Sequence, residues 1–275
     1  MGENYFLKKQ AKKYYNRYKV SDILEVVKEE TGYLVQNYEI NINEKENNIL
    51  NLELLHEEKK VCELNFELEI MENFERENNE FILRLNKNNE IEEVLNKKEM
   101  IDNIDNKLFQ YLEKNIEYSG EVVDLAHLYK KQLENESELE FFMNTEGMSS
   151  YLFIDIFNKE YFETRETKII KHVGNIVPGN AIPVEFKFKI KKLKEDELLL
   201  DFISDYSGMA SQTNIILAYK EYLGLPEYEK FEFYLDIKGQ YTINTNENKL
   251  KKYNVLRKLC LGGRKYNRQI IIEGI

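Results

Sequence analysis

Residues 183–190 read PVEFKFKI, with Val184, Phe186, Phe188 and Ile190 alternating with Glu185, Lys187 and Lys189. A period of two sends the apolar set to one face of a β-strand and the charged set to the other, the pattern of an antiparallel sheet with one dry and one wet face. The pattern recurs toward the N-terminus in Tyr38, Ile40 and Ile42, in Leu50, Leu52 and Leu54, and in Phe81, Leu83 and Leu85. Between them Cys62, Leu64, Phe66, Leu68 and Ile70 alternate with Glu63, Asn65, Glu67 and Glu69. Toward the C-terminus come Leu198, Leu200 and Phe202, then Phe231, Phe233, Leu235 and Ile237, then Tyr241 and Ile243. Residues 253–261 and 264–272 read as a closing hairpin, because Gly262 and Gly263 allow the positive φ angles of a tight turn.

Other segments carry a helical period. Leu7, Ala11, Tyr14, Tyr15 and Tyr18 fall on one face of a 3.6-residue repeat, which predicts a helix over the first twenty residues. A second helix is expected from a cap at Ser21 or Asp22 through Ile23, Leu24 and Val27 to Glu30, ended by Gly32. From 97 to 144 the stripe Met100, Ile101, Ile104, Leu108, Leu112 and Ile116, a break at Gly120 and a second stripe from Val122 to Leu133 predict a helical pair. Ser137 with Glu140 forms a capping-box pattern before Phe141 and Phe142. Short helices are expected over 149–157 and 211–223, the latter stopped by Gly224 and Pro226.

The expected fold class is α+β, twisted antiparallel sheets with packed helices. A loose likeness between residues 81–96 and 240–254, both a strand, an Asn-rich turn and a second short run, suggests two related sheet-plus-helix lobes. Residues 1–145 would then hold N-terminal helices, a sheet and the helical pair. Residues 146–275 would hold a second sheet, one helix and the hairpin. One continuous domain is the alternative.

Composition excludes several classes. With 42% hydrophobic residues in a 275-residue chain, a sizeable core can form. No apolar run reaches the roughly 20 residues of a membrane helix, and residues 1–20 lack an apolar signal core, so a cytoplasmic protein is expected. Cys62 and Cys260 are too few for a disulfide framework or an all-cysteine zinc site. His56, His127 and His172 show no metal-ligand spacing, and Asp124 with His127 reads as an ordinary helix-surface pair. Nucleotide-loop, serine-hydrolase, zinc-protease and calcium-loop motifs are absent from the sequence. No cofactor or metal is expected, and the protein is read as non-catalytic. About 30 asparagines against five alanines indicate an AT-rich coding bias.

The charge of −11 is unevenly laid out: residues 1–20 carry +5, residues 249–275 carry +7, and the remaining body carries −23. An acidic strand face of Glu53, Glu63, Glu67 and Glu69 would suit a protein with a basic surface. The leading expectation is therefore an acidic inhibitor of a nucleic-acid-binding protein or nuclease, the class that includes immunity and anti-CRISPR proteins. The alternative partner is nucleic acid itself, reached through Lys12, Lys13, Arg17, Arg264, Lys265 and Arg268, which are interleaved with tyrosines. A third reading is a carrier that encloses an apolar ligand between two sheets. Neither a membrane partner nor an oligomeric state is indicated.

Overall fold

A computed structural model describes residues 4–8, 13–27, 31–46, 48–61, 78–114, 119–135, 137–177, 180–206, 211–226 and 230–275. In chain order the elements are β1 (Asn4–Leu7), β2 (Arg17–Val27), β3 (Thr31–Glu44), β4 (Ile49–Val61), β5 (Glu80–Leu85) and β6 (Ile91–Val94). Next come α1 (Lys97–Lys114), α2 (Ser119–Glu134), α3 (Glu138–Thr145), α4 (Gly147–Leu152), β7 (Lys159–Phe162), β8 (Thr167–Val177), β9 (Asn180–Leu193) and β10 (Glu197–Asp205). The chain ends with α5 (Gln212–Leu223), β11 (Phe233–Asn244), β12 (Lys249–Leu261) and β13 (Arg264–Gly274).

Eleven of these strands form one antiparallel sheet in the order β6-β5-β4-β3-β2-β13-β12-β11-β10-β9-β8, while β1 pairs with β7 apart from it. Two meanders, β2 to β6 and β8 to β13, are sewn together where β2 meets β13, from Tyr18 opposite Gly274 to Lys265 opposite Val27. Large antiparallel sheets are thus present as expected, and the protein is mostly sheet, with few helices.

Among the described residues, the two helices expected before residue 30 give way to strand, β1 and β2. Residues 17–27 form β2, paired on both sides. The segment ILEVV at 23–27 satisfies either period, and its β-branched residues suit a central strand whose backbone groups are all claimed by neighbours. Asp22 caps no helix, because its carboxylate receives the Arg268 guanidinium at 2.9 and 2.6 Å. The helix expected over 149–157 is shorter, Gly147–Leu152, and an irregular segment follows it. Ser137 does sit at the N-cap of α3 but makes no side-chain cap bond. Glu140, its expected capping-box partner, instead accepts from the Val94 N–H at 2.7 Å and from Lys97 Nζ at 2.7 Å. Helices α1 and α2 form the expected pair around Ile104, Val122 and Ala126, and Gly224 ends α5 with φ of 65°.

One face of the sheet carries the core. Phe186, Phe188, Phe202, Tyr241 and Tyr253 are buried there with ring centroids 5.2 to 6.0 Å apart in successive pairs. Residues 148–157 fill the concavity against them, with Tyr151, Leu152, Phe153, Ile154, Ile156 and Phe157 all buried. Buried irregular backbone needs hydrogen-bond partners, and tyrosine hydroxyls supply them. Tyr253 donates to Met148 O at 2.9 Å, Tyr241 to Tyr151 O at 2.8 Å, Tyr14 to Leu152 O at 3.3 Å and Tyr161 to Ile156 O at 2.5 Å.

The sheet curves until both of its edge strands flank α3. Asn144 closes the β6 edge with a reciprocal pair: its Oδ1 accepts from the Ile91 N–H at 2.9 Å and its Nδ2 donates to Ile91 O at 2.7 Å. That blunts an otherwise unpaired strand edge. On the β8 side, Gly174 admits the helix end, since a Cβ there would lie 2.6 Å from Thr145 Oγ1. The asparagines also have a structural use. Every non-glycine residue with positive φ among the described residues is asparagine: Asn48, Asn89, Asn158 and Asn248. The β5–β6 and β11–β12 turns are built alike. Asn86 Oδ1 accepts from the N–H groups of Asn88 and Glu90, and Asn244 Oδ1 accepts from those of Asn246 and Glu247.

Candidate functional site

Strand β8 places Ile169, Lys171 and Val173 on the core-facing side of the sheet, with Lys171 opposite Val184 of β9. Ile169 and Val173 obey the apolar alternation, whereas Lys171 breaks it. Lys171 is only 5% exposed and has no hydrogen-bond or ion-pair partner among the described residues. Burial disfavours its ammonium and brings its pKa down to about 8, with the Glu90 carboxylate partly opposing the shift.

Lys171 lines an open cleft of about 510 Å³ between the two ends of the curved sheet. Asn88 and Glu90 come from the β5–β6 turn, Lys168 to Lys171 from β8, Glu185 from β9, and residues 153–155 with Lys159 form the floor. Phe153, Ile154, Ile169 and Ile170 supply the apolar part of the wall. Two of the three lining lysines are already paired. Lys159 Nζ lies 3.0 Å from Asp155 Oδ2, and Lys168 Nζ lies 3.0 Å from Glu185 Oε1. Glu90 accepts from Asn86 Nδ2 at 3.1 Å. The lining therefore holds three cations and three carboxylates, with Lys171 the cation that has no ion pair among the described residues.

A second polar group lies on the same face near α4. Arg268 is held by Asp22, and Arg257 Nη2 donates to Gly174 O at 2.8 Å. Burial raises the Glu146 pKa there, and the positive charges of Arg257 and Arg268 oppose that shift. Arg257 thereby ties β12 to β8, and Arg268 with Asp22 ties β13 to β2.

The residues singled out by charge are scattered. Glu63, Glu67, Glu69 and Lys12 lie outside the described residues, as does Cys62. Glu53 stands on the outer face of β4, opposite Glu80, and accepts from Asn41 Nδ2 at 2.8 Å. Lys13 is buried and donates to Asn89 Oδ1. Arg17 is bound to Glu39, and Arg268 to Asp22. Arg264 and Lys265 are exposed beside the hairpin glycines. The basic ends do meet, since β2 and β13 are neighbours, and part of their charge is neutralised within the chain. His127, Asp124 and His172 are exposed, and Cys260 is buried with its thiol pKa raised chiefly by desolvation. Among the described residues no His, Cys, Asp and Glu group could hold a metal, and no helix is long and apolar enough to cross a membrane.

The sequence carried a signal for the cleft that charge counting passes over. In TKIIKHV at 167–173, Lys171 stands two residues after Ile169 and two before Val173, a lysine in an apolar register position. What lies across from it, Glu90, is distant in sequence.

No known protein family matches the chain, and no curated protein matches it. Among solved structures it is similar to one titled "Lipid-protein interactions in lipovitellin", with a TM-score of 0.49 and 8% identity over 96% of this chain. The chain spans 25% of that protein's chain. A likeness at this level bears on neither function nor ligand.

Proposed function

We propose that the protein is a non-catalytic binding protein and that its ligand is a small, net-neutral, polar molecule held in the cleft at Lys171. The observation that carries this reading is a buried lysine without a hydrogen-bond or ion-pair partner among the described residues, lining a cleft. A desolvated ammonium is unfavourable unless something compensates it, and a bound molecule with an acceptor atom would do so. The even count of lining cations and carboxylates favours a neutral occupant, because a free anion would meet Glu90, Asp155 and Glu185 together. Ile169 and Ile170 would contribute apolar contact.

Protein-observed NMR with a library of small neutral polar fragments tests this. Amide resonances of Ile169, Ile170 and Ile154 should move with some fragments, and Lys171→Met should abolish the response. Fragments that perturb only other surfaces would sink the reading.

A second reading, the acidic inhibitor, has one observation in its favour. Glu53 and Glu80 face each other across β4 and β5 with no ion-pair partner at either among the described residues. Like charges directly opposite are unfavourable, and a cationic partner would relieve them. The Glu53→Lys, Glu80→Lys variant should slow association with a basic partner captured from the source cell; an unchanged on-rate would remove this reading.

A further inference from the structure

We propose that the cleft takes a small neutral aldehyde or ketone and that Lys171 captures it as an imine. This rests on the binding reading above and names the ligand class for the same cleft.

Three observations carry it. First, among the described residues Lys171 is the lining lysine that has no ion-pair partner: Lys159 is tied to Asp155 at 3.0 Å and Lys168 to Glu185 at 3.0 Å. Its nitrogen is therefore the one available to a ligand. Second, it sits in an apolar register position between Ile169 and Val173, where desolvation favours the uncharged amine. With a pKa of about 8, roughly a tenth of it is neutral at pH 7, against well under a hundredth of a solvated lysine. Third, the charge balance selects the chemistry. A protonated imine keeps the positive charge that faces Glu90, so capture of a neutral carbonyl compound leaves the lining as evenly charged as before. Binding a carboxylate would leave it one negative charge in excess.

The step consumes nothing beyond the two reactants. The amine lone pair forms a C–N bond to the carbonyl carbon while the carbonyl π pair moves to oxygen, which takes a proton. The nitrogen gives up a proton, and the carbinolamine C–O bond breaks as water leaves carrying that proton and the one the ammonium shed to free its lone pair, so the nitrogen keeps one hydrogen as the protonated imine. The products are imine and one water. Glu90 and Asp155 line the same cleft and can relay these protons to solvent through its open side. The event is stoichiometric and reversible, in keeping with a binding protein.

Reductive trapping on the full chain tests it. Glyceraldehyde with cyanoborohydride should fix an adduct on Lys171 on the order of a hundredfold faster than on an exposed lysine such as Lys191 at pH 7, as peptide mass mapping would read it. The Lys171 rate should rise with pH to a plateau with a midpoint near pH 8. In Lys171→Met the fast adduct should vanish, while the slow labelling of other lysines stays. Labelling spread evenly over the lysines would overturn the proposal. So would a fast adduct that survives Lys171→Met, or an equal concentration of acetate that suppresses the reaction, since the last would assign the site to an anion. If neutral fragments still move the Ile169 and Ile170 resonances but no adduct forms, the imine falls and the binding cleft stands. If neither occurs, both fall.

Discussion

The two faces of the eleven-stranded sheet are made of alternate residues of the same strands. The inner face holds Phe186, Phe188, Phe202, Tyr241 and Tyr253, all buried, closed over by residues 148–157. The outer face of the same strands holds ion pairs, Lys187 with Asp205 at 2.5 Å, Lys191 with Asp201 at 3.2 Å and Lys252 with Glu273 at 3.3 Å. Removing apolar rings from water is worth kilocalories per residue, whereas exposed ion pairs are worth a fraction of one. Stability should therefore reside on the inner face and solubility on the outer. The charged residues that lie on the inner face are the exceptions to explain. Asp22 and Arg268 are explained by each other, and Arg257 by the Gly174 carbonyl. Lys171 is not, and that marks its cleft.

The comparison can be broken by mutation. Phe188→Ala removes a fully buried ring that contacts Phe202, Tyr241 and Tyr161, and should destabilise by about 3–5 kcal/mol in urea unfolding. Asp22→Ala leaves the Arg268 guanidinium without its carboxylate on the inner face, and should destabilise by about 2–4 kcal/mol.

Lys171→Met should act in the opposite direction. Burial lowers the folded-state pKa from 10.5 to about 8, so between those values the unfolded chain binds more protons. Stability of the unmodified protein therefore rises with pH across that window, and below it the folded state carries the buried ammonium. The variant should be more stable at pH 7 by about 2 kcal/mol and should lose that rise, as unfolding midpoints at pH 7 and pH 10 would show. A destabilised variant would mean that Lys171 holds the fold rather than a ligand. The smallest effect belongs to the outer face. Lys191→Ala should change stability by less than about 0.5 kcal/mol, and a larger loss would contradict the division between the faces.

Much of this fold was legible in the chain. The alternation in PVEFKFKI and its repeats placed residues 38–43 of β3, residues 50–54 of β4, and β5, β9, β10, β11 and the terminal hairpin, because a half-buried strand writes its burial with a period of two. The helical pair and α5 were legible for the same reason at a period of 3.6. The N-terminal strand was not. Residues 17–27 satisfy both periods locally, and what makes them a strand is β13, some 240 residues away, offering a second hydrogen-bonded edge. The asparagine excess looked like coding bias, yet four asparagines hold the left-handed positions of turns and irregular chain. The cleft was legible only as one lysine out of register.

Local pattern alone determined that this protein would be built of half-buried antiparallel strands with a helical pair and a glycine-tipped hairpin. It also determined that positive charge would gather at both ends. Tertiary structure alone decided that the ends meet as neighbouring strands, that the meanders join into one curved sheet, and that its two edges come to flank α3. Periodicity records which side of an element is dry, and that is a local property. Which dry side meets which, and whether a buried charge finds its counterpart, depends on residues brought together only when the sheet curves.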